Sequence, residues 1–122
     1  MKKRLTATAL LLIMALTLWA GAALLYENFL MVKPVLDFNG TTAECAMKIE
    51  ADEGVKFRAT MSLYRVDGSK DVLLKEWGTS ATTSLEHEGT HSGLTSGTTY
   101  KLTVKAVGNN ETVTQSVTAT CP

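Results

Sequence analysis

The sequence predicts an all-β protein, a single antiparallel β-sandwich of six to seven strands preceded by an amino-terminal hydrophobic segment. Three observations carry this expectation. After Asn39, runs of alternating apolar and polar residues follow one another and no periodicity of 3.6 residues is present. Turn-forming clusters such as Asp52-Glu53-Gly54, Asp67-Gly68-Ser69 and Gly108-Asn109-Asn110 punctuate the alternating runs. The stretch Gly93 to Val107 passes from a small-residue turn into Tyr100, Leu102, Val104 and Ala106, each separated by a polar or charged residue. With 122 residues in all, the chain has room for one small domain.

The first quarter of the chain reads as targeting. Lys2, Lys3 and Arg4 precede Leu5 to Tyr26, a run of 22 residues without a charged side chain. At about 1.5 Å per helical residue such a run reaches roughly 33 Å, slightly more than a hydrocarbon core of about 30 Å. Trp19 and Tyr26 could then sit at the interface, with Glu27 ending the span. Ala20-Gly21-Ala22 equally offers a small-x-small cleavage pattern, so residues 1–26 are expected to be either a signal peptide, cut after about Ala22, or a signal anchor. Either way, the charge order places the following domain outside the cytoplasm.

Composition narrows the partners. The whole chain carries 12 basic and 12 acidic residues, but three of the basic ones stand before the apolar run. From Glu27 onward the balance is therefore 12 − 3 = 9 basic against 12 acidic, a net charge of −3. A mildly acidic domain has no clustered basic face to replace phosphate counterions, which argues against nucleic acid as a partner.

Residues 27–39, interrupted by Pro34, are expected to form a tether, with Val35 to Phe38 adding at most a short edge strand where proline is tolerated. The sandwich is expected over residues 40–122. Its first strand places Cys45, Met47, Ile49 and Ala51 on one face, and its second Phe57, Ala59, Met61 and Leu63. After Leu63 the phase slips to Tyr64 and Val66, which predicts either a bulge or a strand running beyond the core near Leu63 to Arg65. Val72 to Trp77 forms a returning strand, with Leu73 and Trp77 on one side and Val72 and Leu74 on the other. Gly78 to Thr83 reads as a loop, and Thr83 to Ser92 as the weakest strand, with Leu85, His87, Gly89 and His91 in phase. The Tyr100 strand and a last one bearing Val113, Val117, Ala119 and Cys121 complete six strands in hairpin succession.

Both cysteines fall in phase with inward faces. If successive strands run antiparallel, the start of the first and the end of the sixth lie at the same end of the sandwich. In an oxidising compartment this predicts a Cys45–Cys121 disulfide, worth roughly 4 kcal/mol in the chain-entropy model for such a loop. Two buried free thiols are the alternative.

Leu94, Gly97, Tyr100, Leu102, Val104 and Ala106 resemble the leucine, glycine, tyrosine and alternating apolar residues at the E–F corner of fibronectin type III domains. The resemblance implies a fibronectin type III or bacterial immunoglobulin-like sandwich in which the Tyr100 hydroxyl bonds back to upstream backbone. The family's B-strand tryptophan has no counterpart here; Met47 and Ile49 occupy that region, and Trp77 lies on what would be the C′ strand. No RGD sequence is present.

His87-Glu88-Gly89-Thr90-His91 matches H-E-x-x-H, and Glu111 lies 20 residues further on, as the third ligand does in the gluzincins it superficially resembles. That chemistry needs His87 and His91 one helical turn apart with Glu88 as general base. Thr82, Thr83, Ser84, Gly89, Thr90, Ser92 and Gly93 oppose a helix. A strand would set the histidines about 13 Å apart at ~3.3 Å per residue, too far for one zinc. Glu86 and Glu88 read as a solvated face rather than a glycosidase pair. Asn39-Gly40-Thr41 and Asn110-Glu111-Thr112 match the glycosylation sequon in predicted turns, where turn chemistry explains them as well.

Tyr64, Arg65 and Trp77 form a candidate aromatic and cationic binding surface near one hairpin, with partial core packing as the competing explanation. The expected function is that of a non-enzymatic binding or structural module at the cell surface, secreted or membrane-anchored, with a protein or glycan partner and no cofactor. The alternative is a small zinc protein or metallopeptidase using His87, His91 and Glu111.

Overall fold

The structure, a computed structural model, describes residues 26–122. The expected signal or anchor segment therefore lies outside the described residues, except for Tyr26. Seven strands follow in order: β1 (Phe29–Asn39), β2 (Thr42–Ala51), β3 (Lys56–Asp67), β4 (Lys70–Thr82), β5 (Ser84–His91), β6 (Thr99–Gly108) and β7 (Glu111–Thr120). They form two antiparallel sheets, a three-stranded one ordered β1-β2-β5 and a four-stranded one ordered β4-β3-β6-β7. No helix occurs among the described residues.

The core is built where the alternation is strictest. Cys45, Met47 and Ile49 of β2 meet Phe57, Met61 and Leu63 of β3 and Tyr100, Leu102 and Val104 of β6, all but sealed from solvent. These are the central strands of their sheets, so a pleat with one apolar face finds a partner face directly opposite. Fully burying each such side chain is worth about 1.5–3 kcal/mol, which fixes register, since a one-residue slip would turn the whole set to solvent.

Residues 27–39 are not a free tether. Phe29–Asn39 is an 11-residue strand paired with β2 along its length, with Phe29, Val32, Leu36 and Phe38 in the core. Pro34 is accommodated because β1 is an edge strand, so its missing N–H costs no ladder bond on the outer side. The apolar spacing there is irregular because a bulge shifts the register between Phe29 and Met31, and this hid the strand.

The strands are not in simple hairpin succession either. Only β1–β2, β3–β4 and β6–β7 pair with their sequence neighbours, each across a two-residue turn; β2 pairs with β5, and the chain changes sheet after β2, β4 and β5. The expected loop Gly78 to Thr83 is instead the end of the 13-residue β4. The sheet change after β4 is made by Thr83 alone, at φ 70. A β-branched residue there is strained, and the strain is held by hydrogen bonds: the Ala51 amide to the Thr83 carbonyl, the Thr83 amide to Val55, and the Gly54 amide to the Thr83 hydroxyl.

The expected register slip is present between Leu63 and Tyr64, but the extra residue is on the partner strand. Leu63 pairs with Lys75 and Tyr64 with Leu73, so Leu74 is the unpaired residue, while β3 stays in register with β6. The bulge separates Leu73 from Trp77: Leu73 is turned outward and Trp77 is half-buried on the inner side.

The passage from β5 to β6 is fixed by Tyr100, only 2% exposed. Its hydroxyl accepts a hydrogen bond from the Thr95 amide at 2.8 Å, and its ring lies 6.1 Å from that of Phe38. Gly97, at φ 84, makes the turn between them, and Leu94 is buried beneath it. Changing Tyr100→Phe should leave the ring in place and lower unfolding free energy by about 0.5–1.5 kcal/mol, or more because the Thr95 amide loses its partner. Urea denaturation followed by circular dichroism measures this; an unchanged midpoint would show that the hydroxyl has no part in holding the corner.

Candidate functional site

The pleat of the four-stranded sheet divides the residues that the sequence groups together. Tyr64 stands in an outer-face row with Leu73 of β4 and Lys101 of β6, its registered partners on either side. Arg65, one residue on, faces the opposite way, in register with Val72 and Tyr100. Trp77 also points inward, toward the other sheet. The expected surface of Tyr64, Arg65 and Trp77 is therefore split by the sheet.

On the outer face a different group assembles around Tyr64. Lys101 Nζ donates to Asp71 Oδ2 at 2.6 Å and sits 5.9 Å from the centre of the Tyr64 ring. Leu73, opposite Tyr64, is 51% exposed, one of two large apolar side chains left in water among the described residues. An exposed ion pair and a cation–π contact are each worth only about 0–1 kcal/mol, so their effect is to hold a surface in shape rather than to stabilise the fold. The result is a patch with an aromatic ring, an aliphatic branch, a cation and a carboxylate, close to the β3–β4 turn. The next row continues it in polar form: the buried Ser62 hydroxyl donates to Glu76 Oε2 at 2.8 Å, and the Thr103 and Ser116 hydroxyls bond at 2.8 Å. Lys101 and Leu73 were not singled out from the sequence, because their meeting with Tyr64 depends on the bulge in β4 and on pairing across three strands.

Trp77 has a structural place. Its indole lies against Gly89, closing the side of the sandwich where edge strands β4 and β5 face one another without pairing. A Cβ at Gly89 would overlap the indole atoms Cε2 and Nε1. This explains the glycine at the centre of the H-E-x-x-H sequence without recourse to metal chemistry.

The histidines themselves lie on β5 in register with Met47 and Ala43, four residues apart on an extended strand. The strand takes the place of the helix that zinc peptidase geometry requires. Glu111 lies in the other sheet, at the start of β7 and the end away from His91, and its carboxylate is engaged: it accepts from the Glu27 amide at 2.9 Å and the Asn28 amide at 2.8 Å. The hydrogen bond from Glu27, reinforced by Asn28, holds the Glu111 carboxyl below the ordinary glutamate range against a smaller opposing effect of desolvation. No group of three or more potential metal ligands occurs among the described residues.

The cysteines share the core but are separate thiols; the expected bridge is not formed. Phe38 touches Tyr100, which sets the Phe38–Ala43 pair of one sheet level with the Tyr100–Ala119 pair of the other. Cys45 lies two positions inward from that level and Cys121 two positions outward, its sulphur 3.5 Å from the Gly40 carbonyl oxygen. Four positions at ~3.3 Å each put the pair about 13 Å apart along the strands, beyond the roughly 7 Å Cα separation that a disulfide allows. Burial pushes the Cys45 thiol up to about 12.

No protein-family model matches the chain, and no curated protein matches it. Four solved chains do. One is the crystal structure of wild-type OgpA from Akkermansia muciniphila, at a TM-score of 0.49 and 12% sequence identity, covering 78% of this chain and 30% of that one. The matched region is thus less than a third of that protein's length.

Two measurements follow from this geometry. Gly89→Ala should destabilise the domain by about 1–3 kcal/mol through overpacking against Trp77, and adding Trp77→Leu should recover part of the loss, in a thermal-denaturation double-mutant cycle. Additive effects would separate the two residues. In alkylation without reductant at pH 8, both thiols should be unreactive in the folded chain and both should react in denaturant; no reaction in denaturant would reveal a bridge.

Proposed function

We propose that this chain is an extracytoplasmic, non-enzymatic binding module, and that its sandwich is of the fibronectin type III or immunoglobulin-like class. The class is supported by two sheets of three and four strands, in the orders β1-β2-β5 and β4-β3-β6-β7, joined through a buried tyrosine whose hydroxyl takes an upstream amide. Export is supported by the three basic residues ahead of the uncharged run Leu5 to Tyr26. The non-enzymatic reading is favoured because the one sequence with a catalytic pattern is extended on β5, with its central glycine committed to Trp77.

The observation that carries the binding reading is the outer-face group of half-buried Tyr64 and Lys101 with exposed Leu73 and Asp71. A ring and a leucine side by side on a sheet offer apolar area at little conformational cost, and the neighbouring ion pair offers both signs of hydrogen-bonding partner. This fits a protein partner with an apolar anchor, or a glycan whose CH face lies on Tyr64.

The test is capture of a partner by the isolated domain from the native cell surface and from a glycan array, with Tyr64→Ser plus Leu73→Ser as comparison and an unchanged melting temperature as the folding control. Loss of affinity by at least about tenfold, or ~1.4 kcal/mol, is expected. Equal capture by both proteins would remove the patch from the site; no capture by either would favour a purely structural module.

A further inference from the structure

The end of the sandwich at which the described chain begins also carries the β2–β3 turn, Thr83, and the Asn109–Asn110 turn. The entering chain is fastened to β7, at its first residue Glu111 and at mid-strand Gln115. The Gln115 side-chain amide donates to the Tyr26 hydroxyl, the Glu111 carboxylate takes the Glu27 and Asn28 amides, and the Asn109 side chain donates to Asn28 Oδ1 at 3.3 Å. Phe29, the next residue, is buried against Phe57 with ring centres 5.6 Å apart. The first bulge of β1 then turns Leu30 outward, 65% exposed, at this same end.

Tyr26 is both the last residue of the uncharged run and the first of the described residues, and the domain holds it. A free tether over residues 27–39 would let the domain wander by roughly 43 Å at ~3.3 Å per residue, whereas β1 and the Glu111 clamp leave no slack. We infer that this end of the sandwich is a bilayer-facing surface, resting on the lipid headgroups around the chain's own membrane segment with Leu30 at the boundary. The inference rests on the anchored form of the reading above, in which residues 1–26 are retained. Charge selects the kind of bilayer: Glu27, Asp52, Glu53 and Glu111 outnumber Lys56 and Arg58 at this end, so it fits zwitterionic headgroups and is not drawn to anionic ones. The opposite end, with the β3–β4 turn and the neighbouring Tyr64 patch, then faces away from the membrane.

Full-length chain reconstituted in phosphatidylcholine vesicles containing a headgroup-nitroxide lipid provides the test, with bimane attached at Leu30→Cys or Ser69→Cys and unsubstituted chain correcting for the buried native thiols. The two ends are roughly 33 Å apart over ten strand residues, so quenching at position 30 should exceed that at 69 by at least about threefold. Glu111→Gln, which weakens the clamp, should bring the two values closer. Equal quenching in a chain that sediments with the vesicles overturns the inference alone. A chain that stays in the supernatant overturns the anchored reading and the inference with it, and a contrast unaltered by Glu111→Gln removes the clamp from the account.

Discussion

The face-to-face packing of β2 against β3 and β6 is the constraint on which the rest of this domain depends. Met47, Ile49, Met61, Leu63, Leu102 and Val104 are essentially sealed, and each belongs to a strand flanked on both sides within its own sheet. Because side chains alternate strictly, fixing those six fixes the facing of every other residue on the three strands. Tyr64 and Lys101 are outward because Leu63 and Leu102 are inward. The surface patch is therefore a consequence of the core register, one residue removed.

Edges are where a small sandwich must spend residues on closure, since β4 and β5 turn unpaired backbone toward each other across the gap between sheets. Trp77 spans that gap, and the indole can lie close only because Gly89 has no side chain. The opposite side is closed differently: β1 packs across β6 and β7 as well as pairing with β2, and residues 26–28 are tied to Glu111 and Gln115 of β7. One side uses a single large side chain, the other a full strand.

The central strands and the Tyr100 corner were legible in the sequence because burial on one face alone produces a clean two-residue period. Two of the illegible features share one cause, the bulge. An extra residue at Leu30 broke the period of β1 and made a strand look like a tether; another at Leu74 set Leu73 and Trp77 on opposite faces although the alternation puts them together. The sheet changes were equally hidden, because the single residue Thr83 carries no glycine or proline to announce its φ of 70. The cysteine pairing was reasoned from which end each strand terminates, but not from depth along the sheet, which depends on where Phe38 meets Tyr100.

The molecule has a polarity that neither sheet has by itself. At one end Glu111 gathers the backbone of residues 27 and 28; at the other, Tyr100 gathers Thr95, and Gly97 and Thr98 bond to Cys121. The start of the described chain is thus fastened to β7, and its end, which continues β7, is fastened to Gly97 and Thr98, at opposite poles of the sandwich. The odd-numbered strands β1, β3, β5 and β7 all run from the first pole to the second. A residue's position along any strand therefore measures its distance from the point where the chain enters, and Tyr64, near the end of β3, is at the far side by construction.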